Sequence, residues 1–164
     1  MDRNDKQKSE FFFNRDIYLK RLLITAETFL LEANQRGEEF DRNIFVHVVG
    51  LSLGVWMINA SIQGPLFCQA FEMALDNLLQ IKEGLARIKR IDFSWIPDSY
   101  RPEGSHLIQG KTFKNSQIQI TFSKRDPFAM DDENLSTEAD KKWLLVALYA
   151  WDGNAFPGMI RKRL

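Results

Sequence analysis

The stretch Ile44-Phe45-Val46-His47-Val48-Val49-Gly50-Leu51-Ser52-Leu53-Gly54-Val55-Trp56 decides how this chain folds. Its first half is a continuous, β-branched apolar run, the composition of a buried strand, and it closes on glycines that suit a tight loop. Downstream, Phe67, Ala70, Phe71, Ala74, Leu75, Leu78, Leu79 and Ile81 step at three and four residues. That spacing predicts a helix from Pro65 to about Arg87, with Pro65 in its first turn. Ile88 to Ile96 then reads as a strand with Ile91, Phe93 and Trp95 along one face, stopped by Pro97. Strand, glycine loop, helix and strand make one right-handed parallel crossover.

Working outward, Leu19, Leu22, Leu23, Ala26, Phe29, Leu30 and Ala33 place one apolar face on a helix over residues 16–35, which Gly37 is expected to stop. Residues 97–109 carry Pro, Gly and Ser without periodicity and read as a loop. Over residues 117–123, Ile118, Ile120 and Phe122 alternate with polar side chains, the pattern of a strand with one wetter face. The apolar segment 143–151 fits helix or strand by periodicity. The turn signal Asp152-Gly153-Asn154 after it favours a buried strand that delivers its end to a loop. Adjacent acids Asp131-Asp132-Glu133 read as a solvated loop, because neighbouring carboxylates rarely converge on a metal without other ligands. Residues 44–62 are apolar enough to raise a membrane span. Their glycines and polar residues fit a buried strand followed by a buried helix better, so no membrane insertion is expected.

Composition narrows the function. A length of 164 residues predicts one domain with an ordinary core. The 22 basic and 22 acidic side chains cancel, which excludes the basic footprint of a dedicated nucleic-acid binder. A single cysteine, Cys68, leaves no intramolecular disulfide and no cysteine-rich zinc site, and His47 and His106 are far apart, so neither metal nor cofactor is expected. The polar start, residues 1–10, lacks the layout of a signal peptide. A reducing, cytoplasmic setting follows, or delivery into a host cytosol without a cleavable signal.

Three chemistries compete for the glycine loop. The pattern Gly50-x-Ser52-x-Gly54 matches a nucleophile elbow, with Ser52 on a strained turn and His106 as the one histidine downstream of it. A hydrolase sheet of that kind needs several strands before the elbow, and one helix precedes it here. Arg42 and His47, spaced as R-x4-H, resemble the active-site motif of HEPN-type ribonucleases, all-helical domains in which the histidine acts on a ribose hydroxyl. This segment reads as a strand, and a core histidine beside a surface cation explains both residues. The third chemistry is a phosphate cradle, in which successive backbone N–H groups between a strand and a helix N-terminus face a diphosphate.

At Gly50, Leu51, Ser52, Leu53, Gly54, Val55 and Trp56 the chain resembles the diphosphate-binding loop of the macrodomain family, with Ser52 where the family often has glycine. A second segment, Tyr149-Ala150-Trp151-Asp152-Gly153-Asn154-Ala155-Phe156-Pro157-Gly158, is similar to the Y-A-W-D-G-N-x-[FY]-P-G-N-E motif of a divergent, effector-type group of macrodomain-like ADP-ribosyl hydrolases. Ser123-Lys124-Arg125-Asp126-Pro127 fits the same group. The resemblance implies an α/β fold, a three-layer macrodomain-like mixed sheet flanked by helices. It implies ADP-ribose or an ADP-ribosylated protein as partner, and hydrolysis of the glycosidic bond at C1 of the distal ribose. Asp152 would hold the ribose and activate water, Asn154 would orient the ribose or its loop, and Trp56 and Phe156 would pack on a ribose or adenine face.

The chain departs from that pattern at both ends. After Gly158 it runs Met159-Ile160-Arg161-Lys162-Arg163-Leu164 where the family continues Asn-Glu, and no counterpart of the earlier macrodomain strands precedes Phe11. The expected organisation is a polar segment over residues 1–14, a partial macrodomain-like domain over 15–158 and a basic tail over 159–164. A non-catalytic, degenerate interaction module is the rival function.

Overall fold

The computed structural model describes residues 13–54, 56–81, 84–124 and 143–148. Helix α1 (Arg15–Glu39) starts at Asn14, whose side chain accepts a hydrogen bond from the Ile17 N–H at 3.0 Å, with Asp16 in the first turn and Arg36 in the last, both favourable to the helix dipole. Its buried residues Leu22, Ala26, Leu30 and Ala33 are four of those singled out by periodicity, and Leu19, Leu23 and Phe29 pack against the same core.

Gly37 does not stop this helix. It lies inside the last turn and is buried, because a Cβ there would fall 2.6 Å from Arg87 Cβ and 2.7 Å from Ile44 Cγ1. The glycine lets the helix approach the chain entering two strands. Asn34, one turn earlier, accepts from the Arg87 N–H at 2.8 Å and donates to Glu38, fixing the same approach with hydrogen bonds. The reversal falls at Asp41, whose φ is +48°.

Strand β1 (Asn43–Val49) is followed by helix α2 (Ala60–Leu79), strand β2 (Ile88–Ser94), a single 3₁₀ turn over Asp98–Tyr100, strand β3 (Gln119–Ser123) and strand β4 (Trp143–Leu148). All four strands are parallel, in the order β3-β2-β1-β4. The only antiparallel contact among the described residues is the isolated bridge Thr112↔Gln119. There the 110–113 segment, with Gly110 at φ +73°, folds back along β3 and satisfies its outer edge. This is the expected α/β, macrodomain-like arrangement of a sheet with helices packed on it.

Helix α2 starts five residues before Pro65, which sits inside the helix, and it ends at Leu79 well short of Arg87. Gln63 is what allows the early start. Its side chain satisfies backbone N–H groups ahead of the helix, so the chain is helical before the proline fixes φ.

Ile44, Val46 and Val48 face the same side of the sheet as Ile91, Phe93 and Ile120, and with both helices they form one core. Leu107, Phe113 and Ile118 from the long β2–β3 connection join it. Each such side chain removed from water contributes about 1.5–3 kcal/mol before conformational entropy is counted. Trp95 leaves the face shared by Ile91 and Phe93: its φ is +60°, the strand ends before it, and its indole is 64% exposed. No helix among the described residues is long and apolar enough to cross a membrane; residues 44–62 are β1, its loop and the first turn of α2.

Candidate functional site

A parallel sheet gathers the loops after its strands at one edge. Chain order runs β1, β2, β3 to one side and then jumps to β4 on the other, so the direction of winding reverses between β1 and β4. A ligand crevice in such a sheet opens at that reversal, beyond the carboxyl ends of the strands. The pairing Val48↔Leu148 places the end of β4 beside Val49 and Gly50, and the 50–59 loop fills the space before α2.

The loop is two successive turns. Leu53 N–H donates to Gly50 O at 3.1 Å, and Met57 N–H donates to Gly54 O at 2.9 Å. Ser52 occupies the third position of the first turn with φ +60°, where glycine is the default residue. Ser52 therefore holds a backbone conformation in which a glycine would be unstrained. Leu51 and Leu53 pack against the core and hold the loop from below. A Cβ at Gly54 would meet nothing within 4 Å, so the loop opens onto free space at this position. Trp56 is 66% exposed and is not a core aromatic.

Two side chains that sequence reasoning missed brace the loop. Tyr18 Oη lies 2.5 Å from Ser52 Oγ, linking α1 to the first turn. Gln63, buried in α2, accepts through Oε1 from the N–H groups of Ile58 (2.6 Å) and Asn59 (2.9 Å) and donates through Nε2 to Ser52 O (3.2 Å). It reaches back as the acidic or amide residue of a capping box does, one position later than usual. Asn59 Oδ1 accepts from Ser61 and makes no cap hydrogen bond, so the N-cap side chain does not compete for the first backbone N–H groups of α2. The 50–56 loop carries no cationic residue. An anion held here would rely on backbone N–H groups and the helix dipole.

A second polar cluster lies on the face of the sheet opposite the helices. The Asp92 carboxylate accepts from Ser94 Oγ (2.6 Å), Thr121 Oγ1 (2.7 Å) and Ser123 Oγ (2.7 Å), tying the ends of β2 and β3 together. His47, fully buried, sits in register with Asp92, its ring edge-on to Phe45 with centroids 4.4 Å apart. No group of three or more His, Cys, Asp or Glu among the described residues could hold a metal ion.

The rival chemistries lose their geometry. His106 pairs with Glu72, its backbone N–H at 2.8 Å and its ring Nδ1 at 3.1 Å from Glu72 Oε1. Glu72 is twelve residues along α2, about 18 Å from its start by helical rise, so this histidine does not serve Ser52. His47 lies on a strand and Arg42 in the turn before it, not on the helices of a HEPN domain. Cys68 is buried in α2, and burial pushes its thiol up to about 12, which leaves it protonated and unreactive. Val55, Asp152, Asn154, Phe156 and Asp131-Asp132-Glu133 lie outside the described residues.

A family model described as ADP-ribosylhydrolase MavL-like matches residues 1–160. Two curated proteins of Drosophila melanogaster are similar. ADP-ribosylarginine hydrolase CG2909 is 33% identical over 156 residues, covering 93% of this chain and 29% of its own length. ADP-ribosylarginine hydrolase CG3568 is 31% identical over 167 residues, covering 93% and 28%. The chain thus spans less than a third of the length of these relatives.

Proposed function

Because the chain belongs to the MavL-like ADP-ribosylhydrolase family, we propose that it binds ADP-ribose over its 50–56 loop and hydrolyses ADP-ribose from modified proteins. The observation that carries this reading is the place of that loop. It lies at the reversal point of a parallel sheet, between β1 and α2, and is braced by Tyr18 and Gln63 with Gly54 facing open space.

The diphosphate would rest on backbone N–H groups of the loop and on the N-terminus of α2, which positions the ribose without a side-chain cation. The distal ribose then falls toward β4, whose sequence continues into Asp152 and Asn154. Asp152 holds a water against C1 of the ribose and stabilises the oxocarbenium-like charge as the glycosidic bond breaks. Water adds to C1, the leaving group takes a proton, and free ADP-ribose results. Asn154 orients the ribose. The names of both fly relatives direct the substrate to ADP-ribosylated arginine, in which the bond broken is C1–N and the leaving group a guanidine.

The test is release of ADP-ribose from an ADP-ribosylated arginine peptide by the 164-residue chain and by Asp152→Ala. The reading expects release that falls a hundredfold or more in Asp152→Ala with ADP-ribose affinity within about threefold of the unaltered chain. Equal loss of both would remove Asp152 from catalysis. Binding without release would leave the chain an ADP-ribose-binding module.

A further inference from the structure

Helix α1 carries a second apolar face that the core does not use. Ile17, Ile24 and Leu31 follow one another at intervals of seven residues and are 56%, 66% and 45% exposed. At about 100° per residue, Ile24 stands roughly 160° round the helix from Leu22 and from Ala26, two of the side chains that α1 buries. The stripe therefore points away from the core, on the side where a surface helix carries polar groups. One exposed isoleucine is ordinary. Three apolar side chains on a single line, about 21 Å long by helical rise, make a seam on which a second helix packs.

The charges along the stripe select its partner. Lys20 and Arg21 stand between Ile17 and Ile24, whereas Glu27 and Thr28 stand between Ile24 and Leu31. Glu27 Oε1 accepts from Asn77 Nδ2 of α2 at 2.7 Å, which fixes its carboxylate at the side of α1. Two such helices laid parallel would set lysine on lysine and glutamate on glutamate. Laid antiparallel about Ile24, they match Ile17 with Leu31 of the second copy, Ile24 with its own copy, and Lys20 with Glu27 of the second copy. Such self-complementarity is what a closed two-fold interface requires. We propose that α1 is a self-association surface, through which two copies of this chain form a weak antiparallel dimer centred on Ile24. One helix pair buries less than a standard interface of about 1,600 Å², so half-association on the order of 100 μM is expected. The inference stands independently of where ADP-ribose binds.

Sedimentation velocity of the 164-residue chain from about 5 μM to about 1 mM tests it. The unaltered chain should pass from monomer to dimer across that range. Ile24→Glu, which sets two carboxylates face to face at the two-fold, should stay monomeric. Lys20→Glu should weaken the dimer about tenfold, and adding Glu27→Lys should restore affinity to within about threefold. Cysteine variants read the direction of pairing. Under oxidation Ile24→Cys should form a disulfide-linked dimer and Ile17→Cys should not. The two Ile17 positions lie about 21 Å apart in the antiparallel pair, and a disulfide needs Cα atoms within about 7 Å. Cys68 is buried and takes no part. The substituted isoleucines are exposed, so these variants should melt with the unaltered chain at low concentration. A chain that stays monomeric at the top of the range overturns the proposal, as does a dimer that Ile24→Glu leaves intact. Failure of the charge exchange to restore affinity overturns it too, as does crosslinking of Ile17→Cys as readily as Ile24→Cys.

Discussion

The side-chain amide of Gln63 spans the turn between β1 and α2, donating to the carbonyl of Ser52 at 3.2 Å while accepting from the backbone of Ile58 and Asn59. One buried side chain therefore fixes both the shape of the glycine loop and the start of the helix. Gln63→Leu keeps the volume and removes these hydrogen bonds, leaving buried polar groups unsatisfied. The expected cost is about 1–3 kcal/mol of stability, read by urea denaturation, together with a loss of ADP-ribose affinity. Gln63→Glu, which keeps the accepting oxygen, should lie between the two.

Ser52 carries both a backbone demand and a side-chain contact, the hydrogen bond to Tyr18. At φ +60° glycine relieves the backbone, while Ser52→Gly also removes the hydrogen bond to Tyr18; the two effects are each about 1 kcal/mol and opposite in sign, so the melting temperature should shift little. Ser52→Val should destabilise the protein by about 1–2 kcal/mol, because a β-branched residue is poorly tolerated there. Neither a fluorophosphonate probe nor an ester substrate should react at Ser52, whose hydroxyl is engaged with Tyr18 and has no histidine partner. Labelling of Ser52 would return the nucleophile-elbow chemistry.

Asp92 joins two strand ends through three hydroxyl groups. Removing the carboxylate in Asp92→Ala leaves Ser94, Thr121 and Ser123 without that acceptor, and an expected loss of about 2–4 kcal/mol follows. Restoring part of the acceptor set in Asp92→Asn should recover some of it. Chemical denaturation of the two variants decides whether the cluster is structural to this degree.

Cys68 predicts a reagent profile. Burial that raises its thiol to about 12 leaves almost no thiolate at pH 8, so iodoacetamide should leave the folded protein unmodified for hours and alkylate it rapidly in urea. Prompt alkylation of the folded chain would show that α2 opens far more often than its packing implies.

Much of this architecture was legible because hydrophobic period is a direct record of burial. Leu22, Ala26, Leu30 and Ala33 announce α1, and the run 44–49 with its closing glycines announces β1 and its loop. The errors have physical causes. Gly37 looked like a helix stop, but a glycine also serves where two chain segments nearly touch, and its neighbours Arg87 and Ile44 are distant in sequence or beyond a turn. Pro65 looked like a first turn because the side chain that supports the preceding turn, Gln63, carries no apolar signal. Trp95 fitted the alternation of β2 by position. The left-handed turn that expels it is set by a hydrogen bond to Ser123, a strand away. The loop itself could be read from its glycines, whereas Tyr18 and Asp92 act through tertiary partners that local pattern does not encode.

The measurement that bears most directly on the central claim is calorimetric titration of the 164-residue chain with ADP-ribose, alongside Gly54→Glu. A side chain at Gly54 enters open space, so the variant should melt with the unaltered chain, while its carboxylate fills the cradle and repels a diphosphate. Saturable binding is expected of the unaltered chain and none of Gly54→Glu. Absence of binding at millimolar ADP-ribose, or equal binding by a folded Gly54→Glu, would contradict it.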